Sequence, residues 1–561
     1  MHRLFCIFLL LISIGSYSQS SYIPLNQDYY YLIERYEVLN GRMAQGFHST
    51  IKPIQRKALM EYIDSLNVDS SRLSKSDIFN LTYMQNDSWE FSEAESSISN
   101  RPFLRHFYKR KSDFYSVHTE DFDLHVNPVI YFSGGKDFAF SRSTYTNTRG
   151  IEARGMINNK VSFYTFAADN QGRFPEYVGR WIADNDAIPG EGFKKSFKQD
   201  AGAVDFLTAR GYITVNLTKN IHAQFGHDRN FIGDGYRSLI LSDFATNYTF
   251  LKLNTNVWRI NYMNLFTEMN AGTGNANQIF PKKYMALHHL SLRLTDNLLI
   301  GVFESEVFGQ DSARRGYDIN YLNPIIFYRS IEQQLGSGDN AILGINLKWN
   351  FLKHFTLYGQ FVMDEFMLQE VKARRGWWGN KFAYQAGVKY FNAFGIKNMD
   401  LLAETNIVRP YTYSHSSAYT NYTHYNQPLA HPLGANFYEA IGIVRFQPAP
   451  RLLCTGKLIY AQFGSDTTTT DIGKDNMGGN INKSYIEVAN NRYFGNNIGQ
   501  GIPNTLLYAS LTLTYQIRHN LFVDFTQVIR QLESGLESRN LNTNFSSLSL
   551  RWNIPQRLHE F

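Results

Sequence analysis

Between residues 409 and 436, Tyr411, Tyr413, Tyr419, Tyr422 and Tyr425 interleave with His415, His424 and His431. Aromatic faces can bury the apolar faces of sugar rings, while phenol and imidazole groups bond their hydroxyls. Tyr411, Tyr413, Tyr422 and His424 are therefore the candidate glycan contacts, with packing of the same tyrosines onto a scaffold as the alternative. A second stretch, residues 226–244, reads G-H-D-R-N-F-I-G-D-G-Y-R-S-L-I-L-S-D-F. Gly233 and Gly235 could admit a ligand to the backbone, but glycines more often permit a tight loop. Arg229 and Arg237 are expected to pair with Asp228, Asp234 or Asp364.

Other chemically capable residues point away from catalysis. Asp364-Glu365 could be a metal or catalytic pair, yet adjacent strand residues point to opposite faces, and the same divergence argues against zinc at His288-His289. No H-E-x-x-H, Walker loop, G-x-S-x-G or EF-hand loop is present in the sequence. Assembly of Ser, His and Asp from separate strands is the enzymatic route left open. The reading is a non-enzyme with no catalytic residue, metal site or cofactor. Cys454 is alone once Cys6 leaves with a leader, which excludes an internal disulfide and suits a small apolar strand residue.

The elements that must position these residues are strands of period two. Leu507, Ala509, Leu511, Leu513, Tyr515 and Ile517 share one face against Tyr508, Ser510, Thr512, Thr514 and Gln516. The pattern recurs in Leu343, Ile345, Leu347, Trp349 and Phe351, and in Leu548, Leu550, Trp552 and Ile554. One face suits hydrocarbon and the other water, as in outer-membrane strands of roughly 10 residues.

Short turns alternate with long connections. Turns are expected at Asn158-Asn159, 218–220, 254–256, 295–297, 352–354, 392–398, 447–450 and Arg518-His519, where Asn, Lys and Asp dominate. Long connections cover 169–199, 309–340, 409–435 and 464–503. Counting between them predicts an all-β transmembrane antiparallel barrel of about 18 strands over residues 122–561, with both ends of the sheet on one side. Its last strand, 545–554, is the expected recognition element for the insertion machinery. Aromatic residues make up 15% of the chain. Mean hydropathy is only −0.33, and no apolar run after residue 20 approaches the roughly 18 residues of a membrane helix. Outer-membrane lipid is thus met by strands.

Residues 1–18 read as a signal peptide, with His2 and Arg3 before the apolar run 4–14 and small residues at 16–18. Net charge of +6, or +5 without Arg3, is scattered and does not indicate a nucleic-acid partner. Residues 19–121 form an N-terminal helical segment and connector. Apolar residues at helical spacing predict helices over 26–39, 53–66 and 76–84. The segment is too small for a convincing independent domain and is expected to plug or rim the periplasmic mouth.

The 226–244 stretch resembles the Wzi capsule-assembly family of outer-membrane proteins, through Arg229, Gly233-Asp234-Gly235 and Ser238-Leu239-Ile240-Leu241-Ser242. Leu343 to Lys348, Leu357 to Gln360 and Asp364-Glu365 resemble a second family stretch. The family usually has Trp-Gly-Pro-Gly where this chain has 232–235, and Asp where it has Asn346. Arg229, Gly233, Gly235, Ser238, Asp364 and Glu365 are read as family-motif residues with structural roles. The chain also resembles barrels of gliding bacteria called the gliding motility protein RemB. The resemblance implies a plugged 18-stranded barrel that retains surface polysaccharide. A role in motility or adhesion with protein partners, and a diffusion porin, are the alternatives.

Overall fold

The computed structural model describes residues 20–561 apart from 67–72, 93–94, 198–199, 201, 273–279, 310–315, 326, 336–337, 468–474, 487 and 489–491. The signal peptide expected at 1–18 lies outside the described residues. Among these, eighteen antiparallel strands close into one barrel. In chain order they are β1 Phe122–Asp137, β2 Arg142–Ile157, β3 Val161–Arg173, β4 Val204–Asn216, β5 Ile221–Asp228, β6 Tyr248–Val257, β7 Ile260–Asn270, β8 Lys282–Arg293 and β9 Leu298–Phe308. The second half comprises β10 Asn340–Phe351, β11 Phe355–Glu365, β12 Lys381–Tyr390, β13 Met399–Val408, β14 Phe437–Ala449, β15 Leu452–Ser465, β16 Ile502–Arg518, β17 Leu521–Ser534 and β18 Leu541–Trp552. Closure is made by β18 on β1, with Trp552 opposite Ile130 and Phe545 opposite Asp137.

Strand alternation sets the two faces of the wall. On β16, Leu507, Leu511, Leu513, Tyr515 and Ile517 face outward and are exposed, while Tyr508, Ser510, Thr512 and Thr514 are buried inside. An apolar outer band without a free sheet edge is what a bilayer permits. Tight turns lie on the rim that carries both ends of the sheet, and the loops 174–203, 229–247, 309–339, 409–436 and 466–501 lie on the other. The turn expected at 254–256 falls instead at Trp258-Arg259, because Asn254 to Asn256 stay paired with β7. Asn254 and Asn256 line the lumen near the plug, and Asn256 bonds the Gly46 carbonyl.

Among the described residues, the N-terminal segment forms three α-helices: α1 Gln27–Asn40, α2 Arg56–Asp64 and α3 Lys75–Asp87. Asn26 caps α1 through the Asp28 amide, Gly41 ends it in the left-handed region, and Ser74 and Asp77 form a capping box on α3. Ile33, Tyr36, Leu59, Met60, Ile63 and Met84 build its core. Charged groups fasten it inside the barrel. Arg35 joins Asp77 at 3.2 Å to Asp400 of β13 at 2.5 Å, and Lys348 of β10 meets Glu37 at 2.8 Å. Glu34 lies between Lys52 and Lys389. Burial alone would raise the Glu34 pKa, but Lys389 and Lys52 hold its carboxyl well below the ordinary range.

Two further segments fill the lumen. Loop 229–247 descends from the outer rim until Phe231-Ile232 pairs antiparallel with Lys52-Ile51 of the N-terminal segment. The plug from below and the loop from above are thus joined by a miniature sheet. After β18 the chain reverses, and its last residues climb back through the barrel. Glu560 pairs with Lys457 of β15 at 2.8 Å, Arg530 of β17 donates to the Phe561 oxygen at 3.0 Å, and the Phe561 ring packs against Tyr177, Trp181 and Phe244 under the outer loops.

Candidate functional site

The tyrosine and histidine loop, 409–436, turns inward over the outer end of the lumen. Tyr411, Tyr413 and Tyr422 are at most 1% exposed and His424 is 3% exposed. All four are buried in this structure, the arrangement of the packing alternative set beside glycan contact. The Tyr413 hydroxyl donates to the Leu239 carbonyl at 2.6 Å, Tyr422 to Ile240 at 2.8 Å and Tyr411 to Asn476 at 3.1 Å. Tyr413 and Tyr422 stack at 5.7 Å. Each ring therefore supplies apolar area at its face and satisfies a loop carbonyl at its tip.

His424 is held at both nitrogens. Nδ1 accepts from the Asn270 amide and Nε2 donates to the Asn247 carbonyl, each at 3.0 Å. Burial pushes its pKa down to about 3, and burial pushes His415 down to about 3 as well. Both rings are neutral at ordinary pH, and 409–436 is bound to 229–247 without their charge.

The family-motif residues build the same closure. Ser238 Oγ donates to the Ile232 carbonyl at 2.5 Å and accepts from the Ile240 amide at 3.1 Å. A Cβ on Gly235 would come within 2.7 Å of the Arg237 carbonyl oxygen, so that position takes glycine, while one on Gly233 would meet Gln360 Nε2, the end of a flexible side chain, at 2.8 Å. Arg229 departs from the expected pairing. Its amide donates to Asp228 and its guanidinium to the Asp243 carbonyl, both at 2.8 Å. Asp234 instead receives Thr50 Oγ1 at 2.8 Å and has Lys348 at 3.6 Å.

Asp364 and Glu365 share one cation, Lys381 Nζ, at 3.3 and 2.8 Å. Strict alternation would send them to opposite faces, but the register shifts between Met363 and Glu365, and this irregularity lets both reach the same ammonium. Asp364 also accepts from the Tyr413 amide at 2.8 Å. The pair anchors the outer loop. His289 faces inward and bonds Asn346 at 2.9 Å. His288 faces the other way, and Tyr328 of the 309–339 loop covers it at 4.0 Å instead of lipid.

Among the described residues, Glu90, Asp123 and His125 bring potential metal-ligand atoms within 4.8 Å. Both His125 nitrogens already meet carboxylates, Asp113 at 2.9 Å and Asp123 at 2.7 Å, and Arg154 pairs with Glu90. The group is a charge-compensated tie between plug and wall.

A different part of the outer face presents open aromatic and cationic groups. Loops 366–380 and 466–501 are zipped by backbone bonds from Trp378 to Tyr493 at 3.1 Å, Gly495 to Arg375 at 2.8 Å and Asn496 to Gly376 at 2.9 Å. Trp378 is buried against Tyr485 at 4.8 Å, which fixes the two loops to each other. Above it Arg374 and Arg375 are exposed and Trp377 is half-buried, beside exposed Tyr493 and Phe494. The Arg375 guanidinium sits 4.5 Å over the Phe494 ring and is held there by Glu370, to which its Nε donates at 3.1 Å, so Arg374 is the cation of the pair without a partner carboxylate among the described residues. Sequence reasoning passed over this cluster, although Arg374-Arg375-Gly376-Trp377-Trp378-Gly379-Asn380 was its signal.

Residues 137–490 match the family model described as capsule assembly protein Wzi. Among solved structures, the fold is similar to that of Wzi, an outer-membrane protein involved in group 1 capsule assembly in Escherichia coli and described as a carbohydrate-binding β-barrel. The TM-score is 0.56 at 12% identity, covering 96% of this chain and 100% of that one. OprD of Pseudomonas aeruginosa has a TM-score of 0.41 at 11% identity, covering 77% of this chain and 94% of that one. OccAB2 of Acinetobacter baumannii has 0.42 at 9% identity, covering 76% and 97%. No curated protein matches the chain.

Proposed function

The chain belongs to the Wzi capsule assembly family, and from that premise we propose that this outer-membrane barrel holds surface polysaccharide at the cell exterior without breaking it. The observation that carries the reading is the set of exposed Arg374, Arg375, Tyr493 and Phe494 with half-buried Trp377, fixed by buried Trp378 on two interlocked outer loops. Aromatic faces stack on sugar rings, and guanidinium forks bond hydroxyls or carboxylates beside them. Tyr411, Tyr413, Tyr422 and His424 serve this reading as the frame beneath that surface. The likeness to the carbohydrate-binding E. coli barrel points the same way.

A lumen occupied by the N-terminal helices, loop 229–247 and the C-terminal residues argues against a diffusion porin. The motility and adhesion reading rests on resemblance alone, and no contact favours it. The test is to replace Trp377 and Phe494 together by Ala. Cells carrying the variant should release polymer that wild-type cells retain, at normal barrel abundance. Undiminished retention would remove the patch from the account.

A further inference from the structure

A second feature lies inside the barrel. Between the C-terminal tail, loops 174–203 and 229–247, and the wall is a cavity of about 250 Å³. One water needs about 10–15 Å³ of such space, so the cavity has room for several waters or one small polar solute. Arg210 of β4, Arg229 after β5 and Arg557 of the tail all line it. Arg210 is 8% exposed, lies 4.1 Å over the Phe166 ring, has a buried Nε with no hydrogen-bond partner, and forms no ion pair among the described residues. Arg229 Nε is likewise buried without a partner, its Nη1 being spent on the Asp243 carbonyl.

Arg557 donates to Asn170 at 2.9 Å, and its ion pair is a loose one with Glu191 at 3.8 Å. Glu191 is the one carboxylate that pairs with any of the three among the described residues, and it already accepts from Thr208 at 2.9 Å. Burial pushes Arg557 below its ordinary range. Glu191 opposes that shift, and the neighbouring charges of Arg210 and Arg229 add to it. Glu191 is the carboxylate at ion-pair distance, while Asp228 and Glu152 act on Arg210 without pairing with it among the described residues, so the buried Nε donors of Arg210 and Arg229 stay unused beside the cavity. Phe166, Phe174 and Phe206 supply apolar wall beside them.

We propose that this cavity is an oxyanion site, taking one carboxylate or phosphate group among Arg210, Arg229 and Arg557. Guanidinium forks match the paired oxygens of either group, and the site adds to the outer-face reading without depending on it. An acidic sugar or free phosphate could supply the group.

The protein is refolded into detergent with graded sodium phosphate, sodium glucuronate or neutral glucose at constant ionic strength, and the temperature at which the heat-resistant folded band disappears is recorded. A ligand that binds only the folded state raises that temperature saturably. The site predicts saturable shifts with phosphate or glucuronate and none with glucose. A larger effect of glucuronate assigns a sugar acid, and an effect of phosphate alone assigns the free ion. Arg210→Gln combined with Arg557→Gln should raise the half-saturating concentration at least tenfold while the folded band persists. Glu191→Gln, which removes the competing carboxylate, should lower it several-fold. No anion-specific shift in the wild type, or identical half-saturation in the arginine variant, overturns the site. If that variant fails to fold, Glu191→Gln decides: unchanged or weaker anion binding there overturns it.

Discussion

Lys348 on the barrel wall and Glu37 on the plug helix meet at 2.8 Å, with each side chain 1% exposed. Ser49 Oγ lies 2.6 Å from the same ammonium and Asp234 at 3.6 Å, so one strand residue ties helix, connector and descending loop together. Breaking one member leaves an uncompensated buried charge. Lys348→Met should cost about 3–5 kcal/mol of stability, and the double variant with Glu37→Gln less than the sum of its two single changes. Urea midpoints of the four proteins would check this. Strict additivity would mean the pair is not coupled.

The outer closure is expected to respond to acid. His415 and His424 have pKa values near 3 in the closed loop against an ordinary value of 6.5. Above pH 6.5 both are neutral whether the loop is open or closed, and closure has its full stability. As pH falls from 6.5 toward 3, an opened loop takes up protons that the closed loop refuses, and closure is progressively lost. Hydrogen exchange in residues 409–436, corrected for intrinsic rates, should rise over that interval. His424→Gln should remove part of the dependence, and a flat profile would contradict it.

Frame and contact residues should separate by mutation. Tyr413→Phe leaves the Leu239 carbonyl without its 2.6 Å donor and should cost about 1 kcal/mol of stability. Trp377→Ala, half-buried on loop 366–380, should leave stability within about 0.5 kcal/mol and reduce polysaccharide retention instead. Thermal loss of the folded band, read beside retention, distinguishes them. Equal effects of the two changes on both readouts would erase the distinction.

The occupied lumen makes an electrical prediction. Purified protein in planar bilayers should show no large, stable channel, because plug and loop meet at the pairing of Ile51 with Ile232. Large steady conductance in the wild type would show that this pairing does not close the barrel.

How much of this was legible depended on what each residue faces. The strand around Leu511 and Leu513 was readable because one side meets lipid and the other a polar interior. β8 was harder, since Met285 and Leu287 point inward onto the apolar core that Leu239 to Leu241 bring into the lumen, and both faces read as buried. Helix α1 announced its ends through Asn26 and Gly41. Asp364 and Glu365 were misplaced by an alternation that the local register shift breaks. The tyrosines of 409–436 carry the composition of a sugar site, but their hydroxyls are used by carbonyls of a loop remote in sequence. The return of Phe561 into the barrel likewise depends on Arg530 and Lys457, which only the closed sheet brings near it.

The central claim is tested most directly by measuring cell-bound and released surface polysaccharide in a deletion strain complemented with the wild type or with Trp377→Ala/Phe494→Ala. The account predicts retention with the wild type, and release of polymer at normal total synthesis with the deletion and the double variant. Full retention in the deletion strain would contradict it, leaving a plugged barrel with some other task.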